Sequence, residues 1–182
     1  LATLTISLDG LEDSHKWLRK HSQSFEKAIK AIKVASSTKH LAFDVITCIS
    51  QKNINDIFEI EKLLISLNVK RWRIFDMDPI GRATEEPMLF LNTEQYYQLL
   101  NNIVTIRKRG KIDLQYSCHN YFGAYENEVR TGFSYCISGI NIGTILVDGS
   151  ITGCTNLHKG FIQGNIYKDD FYHINKMLLC KD

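Results

Sequence analysis

The chain has 182 residues, 44% of them hydrophobic and 23% charged, with 22 Lys+Arg against 20 Asp+Glu and a formal net charge of +2. That balance gives no electrostatic case for nucleic acid or an anionic membrane surface, and no apolar run reaches the roughly 20 residues needed to span a bilayer. One domain plus a small appendage fits this length. The first residues run straight into the apolar stretch "LATLTISLDG" without a leader or cap, so the chain reads as a piece of a longer protein. Five cysteines, at 48, 118, 136, 154 and 180, form an odd and widely spaced set. With no export signal, such a set favours reduced thiols or metal ligands over a disulfide framework, and a cytoplasmic location.

In chain order, residues 1–9 are β-rich and nearly all apolar or Thr/Ser, the pattern of a strand buried on both faces. A charge-rich loop, "EDSHKWLRK", is expected next. Ser24 then caps a helix with Phe25, Ala28, Ile29 and Ile32 at helical spacing. Residues 41–50 form the next strand, and Asn53 or Asn55 caps a helix striped by Ile57, Ile60, Leu64 and Leu67. A third strand spans 69–77. A long connection holding both prolines leads to a helix from about Thr93 that carries Tyr96, Leu99, Leu100 and Ile103. That helix ends in Arg107, Lys108 and Arg109 before Gly110, the charge and cap of a helix C-terminus. A fourth strand covers 111–117. Strands alternating with helices of this length imply βαβ units and a parallel sheet.

Beyond Ser117 glycine becomes frequent and helical periodicity fades. A hairpin over 141–153 turns at Asp148-Gly149. The expected division is therefore 1–117 as a parallel α/β part and 118–182 as a small appended module. In parallel α/β architectures functional groups gather at the C-terminal ends of strands. Here those ends hold Ser7 and Asp9-Gly10, residues 47–50, and Asp76 and Asp78, the last two facing the expected mouth as candidates for proton transfer. Asp9 reads equally well as a turn-former. Trp17 and Trp72 read as packing residues, and Cys48, within a strand, as core.

These pieces, in this order, resemble the radical S-adenosylmethionine (AdoMet) enzymes that carry a C-terminal SPASM module. "TISLDGLEDSHKWLRKHSQSFEKAIKAI" is similar to the fourth strand of their barrel with its loop and helix. "FDVITCISQKNINDIFEIEKLLISLNVKRWRIFDMDPIGRA" is similar to the fifth and sixth strands, including Asn53 and the Pro79-Ile80-Gly81-Arg82-Ala83 ending. Cys136, twelve residues, Gly149, four residues and Cys154 match the opening of the module. The resemblance implies part of a (β/α)6, TIM-like barrel of parallel strands, followed by a SPASM/twitch-like module built on a hairpin. The closest subgroup matures a companion lipoprotein or peptide.

By that resemblance Ser7 contacts the ribose or amino-acid end of AdoMet, Arg19 pairs with its carboxylate as a guanidinium can, and Asp9 belongs to the same turn. The loop departs from the family's His-Asp and Arg-Gly pairs, reading His15-Lys16 and Arg19-Lys20. Cys136 and Cys154, with Cys118 as a third candidate, would ligate an auxiliary 4Fe–4S cluster, which soft thiolates suit. The resemblance further implies reductive cleavage of AdoMet to a 5′-deoxyadenosyl radical, a peptide or protein substrate, and an electron donor such as a flavodoxin or ferredoxin. The Cys-x-x-x-Cys-x-x-Cys triplet that holds the AdoMet-cleaving cluster is missing and would lie before Leu1, so the chain alone is expected to be inactive. The rival reading is a non-catalytic α/β binding module whose cysteines are inert or hold zinc, although His119 and His158 do not form a finger spacing.

Overall fold

A computed structural model describes residues 3–117, 121–132, 138–140, 142–154 and 159–178. The chain divides into two compact units, Leu1–Ser134 and Tyr135–Asp182.

The first unit is built on β1 (Thr3–Ser7), β2 (Ala42–Ile49), β3 (Arg71–Asp76) and β4 (Asp113–Tyr116), hydrogen-bonded in that order and all parallel. Helices α1 (Glu12–Arg19) and α2 (Ser24–Ser37) join β1 to β2, α3 (Ile57–Ser66) joins β2 to β3, and α4 (Thr93–Arg109) joins β3 to β4. This is the α/β architecture expected from the alternation of patterns. Asn92 and Gln95 close a reciprocal capping box at the start of α4, and Gly110, at φ +62°, ends it after Arg107, Lys108 and Arg109.

Two local expectations change. The segment read as a charged loop is helix α1. Glu12 and Asp13 lie in its first turn and Lys16 and Arg19 in its last, the arrangement that complements a helix dipole. Lys16 also bridges to Glu12 at 2.6 Å and to Glu26 of α2 at 3.0 Å. At α2 the cap position belongs to Gln23, while Ser24 is already helical and its hydroxyl donates to the His21 carbonyl.

The strand register sorts side chains onto two unlike faces. Ile6, Val45, Trp72 and Leu114 stand side by side, as do Thr47, Ile74 and Tyr116. This face packs against Ile32 and Ala35 of α2, Ile57, Ile60 and Leu64 of α3, and Leu99, Ile103 and Ile106 of α4. The opposite face carries Thr5, Ser7, Asp44, Ile46, Arg73, Phe75 and Gln115, and much of it is half-exposed. A strand buried on both faces was expected at the start of the chain. Instead Thr3 and Thr5 are exposed and Ile6 is buried, because the Thr/Ser positions alternate with the apolar ones.

Polar groups tie the strands together on both faces. On the packed face the fully buried Trp72 donates its indole N–H to the Thr47 hydroxyl at 2.8 Å, and Thr47 donates in turn to the Leu8 carbonyl at 2.7 Å. One chain of bonds thus crosses β3, β2 and the end of β1. On the open face Asp44 accepts from the Thr5 hydroxyl at 2.7 Å and from the Arg73 guanidinium. Burial alone would raise the Asp44 carboxyl, but the Arg73 and Thr5 hydrogen bonds outweigh it and hold the group below its ordinary range.

The edge at β4 is covered. Arg107 of α4 donates to the Leu114 carbonyl, and the Gln115 side chain accepts the Thr131 amide at 2.8 Å. Helix α5 (Glu126–Val129) lies beside it, with Val129 fully buried, Phe122 stacked on Tyr116 at 4.8 Å, and a buried Glu126–Arg130 pair at 2.6 Å.

In the second unit β5 (Thr144–Ile145), β6 (Ser150–Thr152) and β7 (Gly164–Asn165) form an antiparallel sheet in that order, followed by α6 (Phe171–Leu178). The turn falls at Asp148-Gly149 as its sequence implies. Gly149 has φ +82°, a conformation that favours glycine, and a Cβ there would also push on the exposed Tyr167 ring, 2.6 Å away. Helical structure does return after Ser117, in α5 and α6, contrary to the fading periodicity; α5 is too short for a stripe to register in sequence.

Replacing Trp72 by Phe should lower stability by about 2 kcal/mol, the sum of a lost buried hydrogen bond and lost ring volume. The expected readout is a lower urea midpoint at unchanged m-value, and an unmoved midpoint would contradict the role given to the indole N–H. Asp44, with its lowered folded-state pKa, contributes stability that is present above the unfolded value of about 3.9 and is lost as pH falls through the folded value. Arg73→Met should therefore flatten the acid limb of a Tm-against-pH profile, and an unchanged limb would refute the pairing.

Candidate functional site

The site is built where β1 and β2 end. Asp9, 1% exposed, lies two residues beyond the end of β1. One carboxylate oxygen accepts the Cys48 amide at 2.9 Å, and the other takes the Arg19 guanidinium at 2.6 Å from Nε and 2.5 Å from Nη2. The backbone of Asp9 is held as firmly: its N–H donates to His15 Nδ1 at 2.9 Å and its carbonyl accepts from Asn53 Nδ2 at 2.8 Å. Asn53, also 1% exposed, donates from the same nitrogen to the Cys48 carbonyl at 2.8 Å and accepts the Ser50 amide at 2.8 Å. The loops after β1 and β2 are therefore stitched together by buried polar groups, each with partners, as buried polar groups require.

Gly10 makes this turn possible. Its φ of +132° is closed to ordinary side chains, and a Cβ would come within 2.1 Å of the Ser14 hydroxyl. Ser14 in turn contacts the Asp56 carboxylate at 3.2 Å, joining α1 to the loop after β2.

Three residues singled out from the sequence meet here. Ser7 is the last residue of β1, half-buried on the open face opposite Ile46. Asp9 forms the hub, and Arg19 reaches it from the end of α1. Arg19 keeps 42% of its side chain exposed while bound to Asp9, so one cation can serve a second carboxylate at this strand end.

Cys48 lies in the same region but is 4% exposed, and burial, with the nearby Asp9 carboxylate, pushes its thiol up to about 12. It stays protonated at neutral pH and belongs to the core, as its place in the strand suggests. Asp76 does not face the mouth. Its parity along β3 turns it to the helix layer, where Tyr96 of α4 and Tyr116 of β4 both donate to it, Tyr116 at 3.0 Å. Asp78 is exposed beyond the strand.

Of the candidate metal ligands, Cys118 and Cys136 lie outside the described residues, and Cys154 is half-buried just after β6. Among the described residues no group of three or more His, Cys, Asp or Glu side chains could hold a metal ion. The described donors therefore do not by themselves fit an iron–sulfur cluster. The chain does approach itself at this point: a Cβ on Gly153 would lie 2.9 Å from the Gly139 nitrogen. Gly153, the residue before Cys154, thus packs directly on Gly139.

The sequence did not reveal His15, the Cys48 amide or the Tyr96–Tyr116–Asp76 cluster. Their partners lie 6, 39, 20 and 40 residues away along the chain. The one available signal was a histidine placed six residues after Asp9, within the start of α1.

No family model matches the chain. The AdoMet-dependent heme synthase of Oleidesulfovibrio alaskensis is 26% identical over 119 residues, which is 65% of this chain and 30% of that protein. The enzyme of the same name from Methanosarcina barkeri is 24% identical over 120 residues, 65% of this chain and 34% of that protein. The chain thus spans about a third of the length of these curated relatives. Among solved structures, anSMEcpe with bound AdoMet and the Cp18Cys peptide superposes with a TM-score of 0.64 at 16% identity, over 96% of this chain and 51% of that one. The same protein with AdoMet and the Kp18Cys peptide gives 0.62 at 15%, over 99% and 55%. The fold shared over nearly the whole chain and the sequence similarity to two AdoMet-dependent synthases together make this chain similar to radical SAM proteins, and its four-stranded parallel unit is consistent with part of an α/β barrel.

Proposed function

We propose that this chain supplies the AdoMet-facing second half of a radical SAM barrel, residues 1–117, and the beginning of a SPASM-type module, residues 118–182. The observation that carries this reading is the buried Asp9 turn, which presents Arg19 and Ser7 beside the half-exposed polar face of the sheet. When bound, AdoMet supplies the 5′-deoxyadenosyl radical used to take hydrogen from a substrate. The chain's own residues do the positioning. Arg19 holds the AdoMet carboxylate while anchored by Asp9, Ser7 offers a hydroxyl to its ribose or amino-acid end, and Asn53 with Gly10 fixes the turn that aims them. Preorganised donors of this kind cost no rearrangement when the ligand arrives.

The substrate in this reading is a peptide or protein side chain, the class of molecule bound to anSMEcpe beside AdoMet. The sequence relatives, by name AdoMet-dependent heme synthases, favour a second class, a heme precursor. The Cys136, Gly149 and Cys154 spacing supports Cys136 and Cys154, with Cys118 as a third candidate, as ligands of an auxiliary 4Fe–4S cluster. No step is assigned to that cluster. An electron donor of the flavodoxin or ferredoxin type and a cytoplasmic setting accompany this reading.

Arg19→Gln should weaken AdoMet binding to the chain, titrated by calorimetry, by about tenfold or more, the worth of a charge-assisted hydrogen bond, with Arg19→Lys in between. Equal affinity in all three proteins would overturn the assignment of Arg19. Anaerobic loading with iron and sulfide should give broad absorbance near ~400 nm that is lost in Cys136→Ala and in Cys154→Ala. Colour retained in both variants, or stoichiometric colourless zinc, would remove the cluster from the reading.

A further inference from the structure

We propose that His15 is a positioning residue for this site: as an unprotonated imidazole it holds the Asp9 backbone, and through Asp9 the Arg19 guanidinium, so that adding one proton to it releases the arginine. The proposal rests on the reading of the Asp9 turn as the AdoMet side of the barrel, and it adds a residue and a pH dependence to that reading.

His15 is 2% exposed, and its Nδ1 accepts the Asp9 N–H at 2.9 Å. An acceptor carries no proton, so the ring is the neutral tautomer with hydrogen on Nε2. The backbone of Ser24, at the start of α2, lies against the ring and favours its charged form, but more weakly than burial opposes it. The Phe25 ring packs edge-on at 6.0 Å and fixes the imidazole plane. Nδ1 therefore keeps its partner only while it is bare.

The charged groups facing His15 are few. From the turn comes the Asp9 carboxylate, with Oδ2 3.9 Å from Nδ1, and from its own helix comes Arg19. α2 contributes the Ser24 backbone and the Phe25 ring, neither of them charged. Burial lowers the imidazole from its ordinary value of 6.5, Asp9 opposes this, Arg19 adds to it, and the net result is downward.

A proton on Nδ1 sets two donors against each other, because the Asp9 N–H points at the same atom. The Asp9 amide then loses its partner in a site sealed from water, while the new positive charge draws on Asp9 Oδ2, the oxygen that holds Arg19. Both effects push the same way: the carboxylate turns toward His15 and the guanidinium is let go. The sign follows from the lowered folded-state value. The held state is fully stable above the unfolded value of about 6.5 and is lost as pH falls through the folded value.

The test follows the Asp9 amide by NMR and AdoMet affinity by calorimetry from about pH 8 to about pH 5, in the parent chain, His15→Asn and His15→Phe. Asn keeps an acceptor that does not titrate, and Phe keeps bulk without an acceptor. In the parent the Asp9 amide should titrate with a midpoint below 6.5, with AdoMet affinity falling about tenfold over the same interval, the worth of one hydrogen bond. His15→Asn should be flat in both measurements and keep the amide protected. His15→Phe should lose about tenfold in amide protection at every pH. An Asp9 amide indifferent to pH and to both variants would overturn the proposal. An amide that titrates in a chain that binds no AdoMet at any pH would leave the His15 hold standing and sink the AdoMet reading instead.

Discussion

The buried Asp9 carboxylate is the interaction on which this structure depends. A carboxylate sealed from water survives only with donors on both oxygens, and here the Cys48 amide and the Arg19 guanidinium supply them. The two donors come from different elements, the second strand and the first helix. Satisfying one side chain therefore fixes the relative placement of β1, α1 and β2. Asn53 repeats the logic from the other loop, spending its amide on the carbonyls of Asp9 and Cys48. The strand ends are rigid for a reason separate from apolar packing, and the exposed part of Arg19 is aimed by that rigidity.

The second constraint is the contrast between the two faces of the sheet. Parallel sheets are ordinarily covered on both sides and read as continuous apolar runs. This one is apolar toward its helices and carries Thr5, Ser7, Asp44, Arg73 and Gln115 on the other face. Side chains of that kind suit the inside of a barrel around a polar ligand, and they pair among themselves, as Asp44 does with Thr5 and Arg73. The barrel likeness and the face polarity point to the same architecture by independent routes.

The strands, the main helices and the Asp148-Gly149 turn could be read from periodicity and turn chemistry because these are local properties. The apolar stripe of α4, and the basic run and Gly110 that end it, are each written within a few residues. Helix α1 escaped because its eight residues are nearly all polar and its support lies in charge placement and in Lys16 reaching Glu26. Ser7, Asp9 and Arg19 came to notice through resemblance, and the structure brings them to one strand end. What held them could not be read, since the contacts of Asp9 with Cys48 and Asn53 join residues 39 and 44 positions apart. Asp76 shows the converse: its position after a strand suggested the mouth, but side-chain parity sent it to the tyrosines of the helix layer.

The two borders of the parallel sheet differ in a way that bears on self-association. At β4 the Leu114 carbonyl is already occupied by Arg107, and Gln115 is engaged with Thr131. A visiting strand meets an occupied carbonyl and an engaged side chain there. The border at β1 has no such guard among the described residues. The sheet is therefore guarded against a further strand at β4 and receptive to one at β1, so any strand that extends it must join from the β1 side.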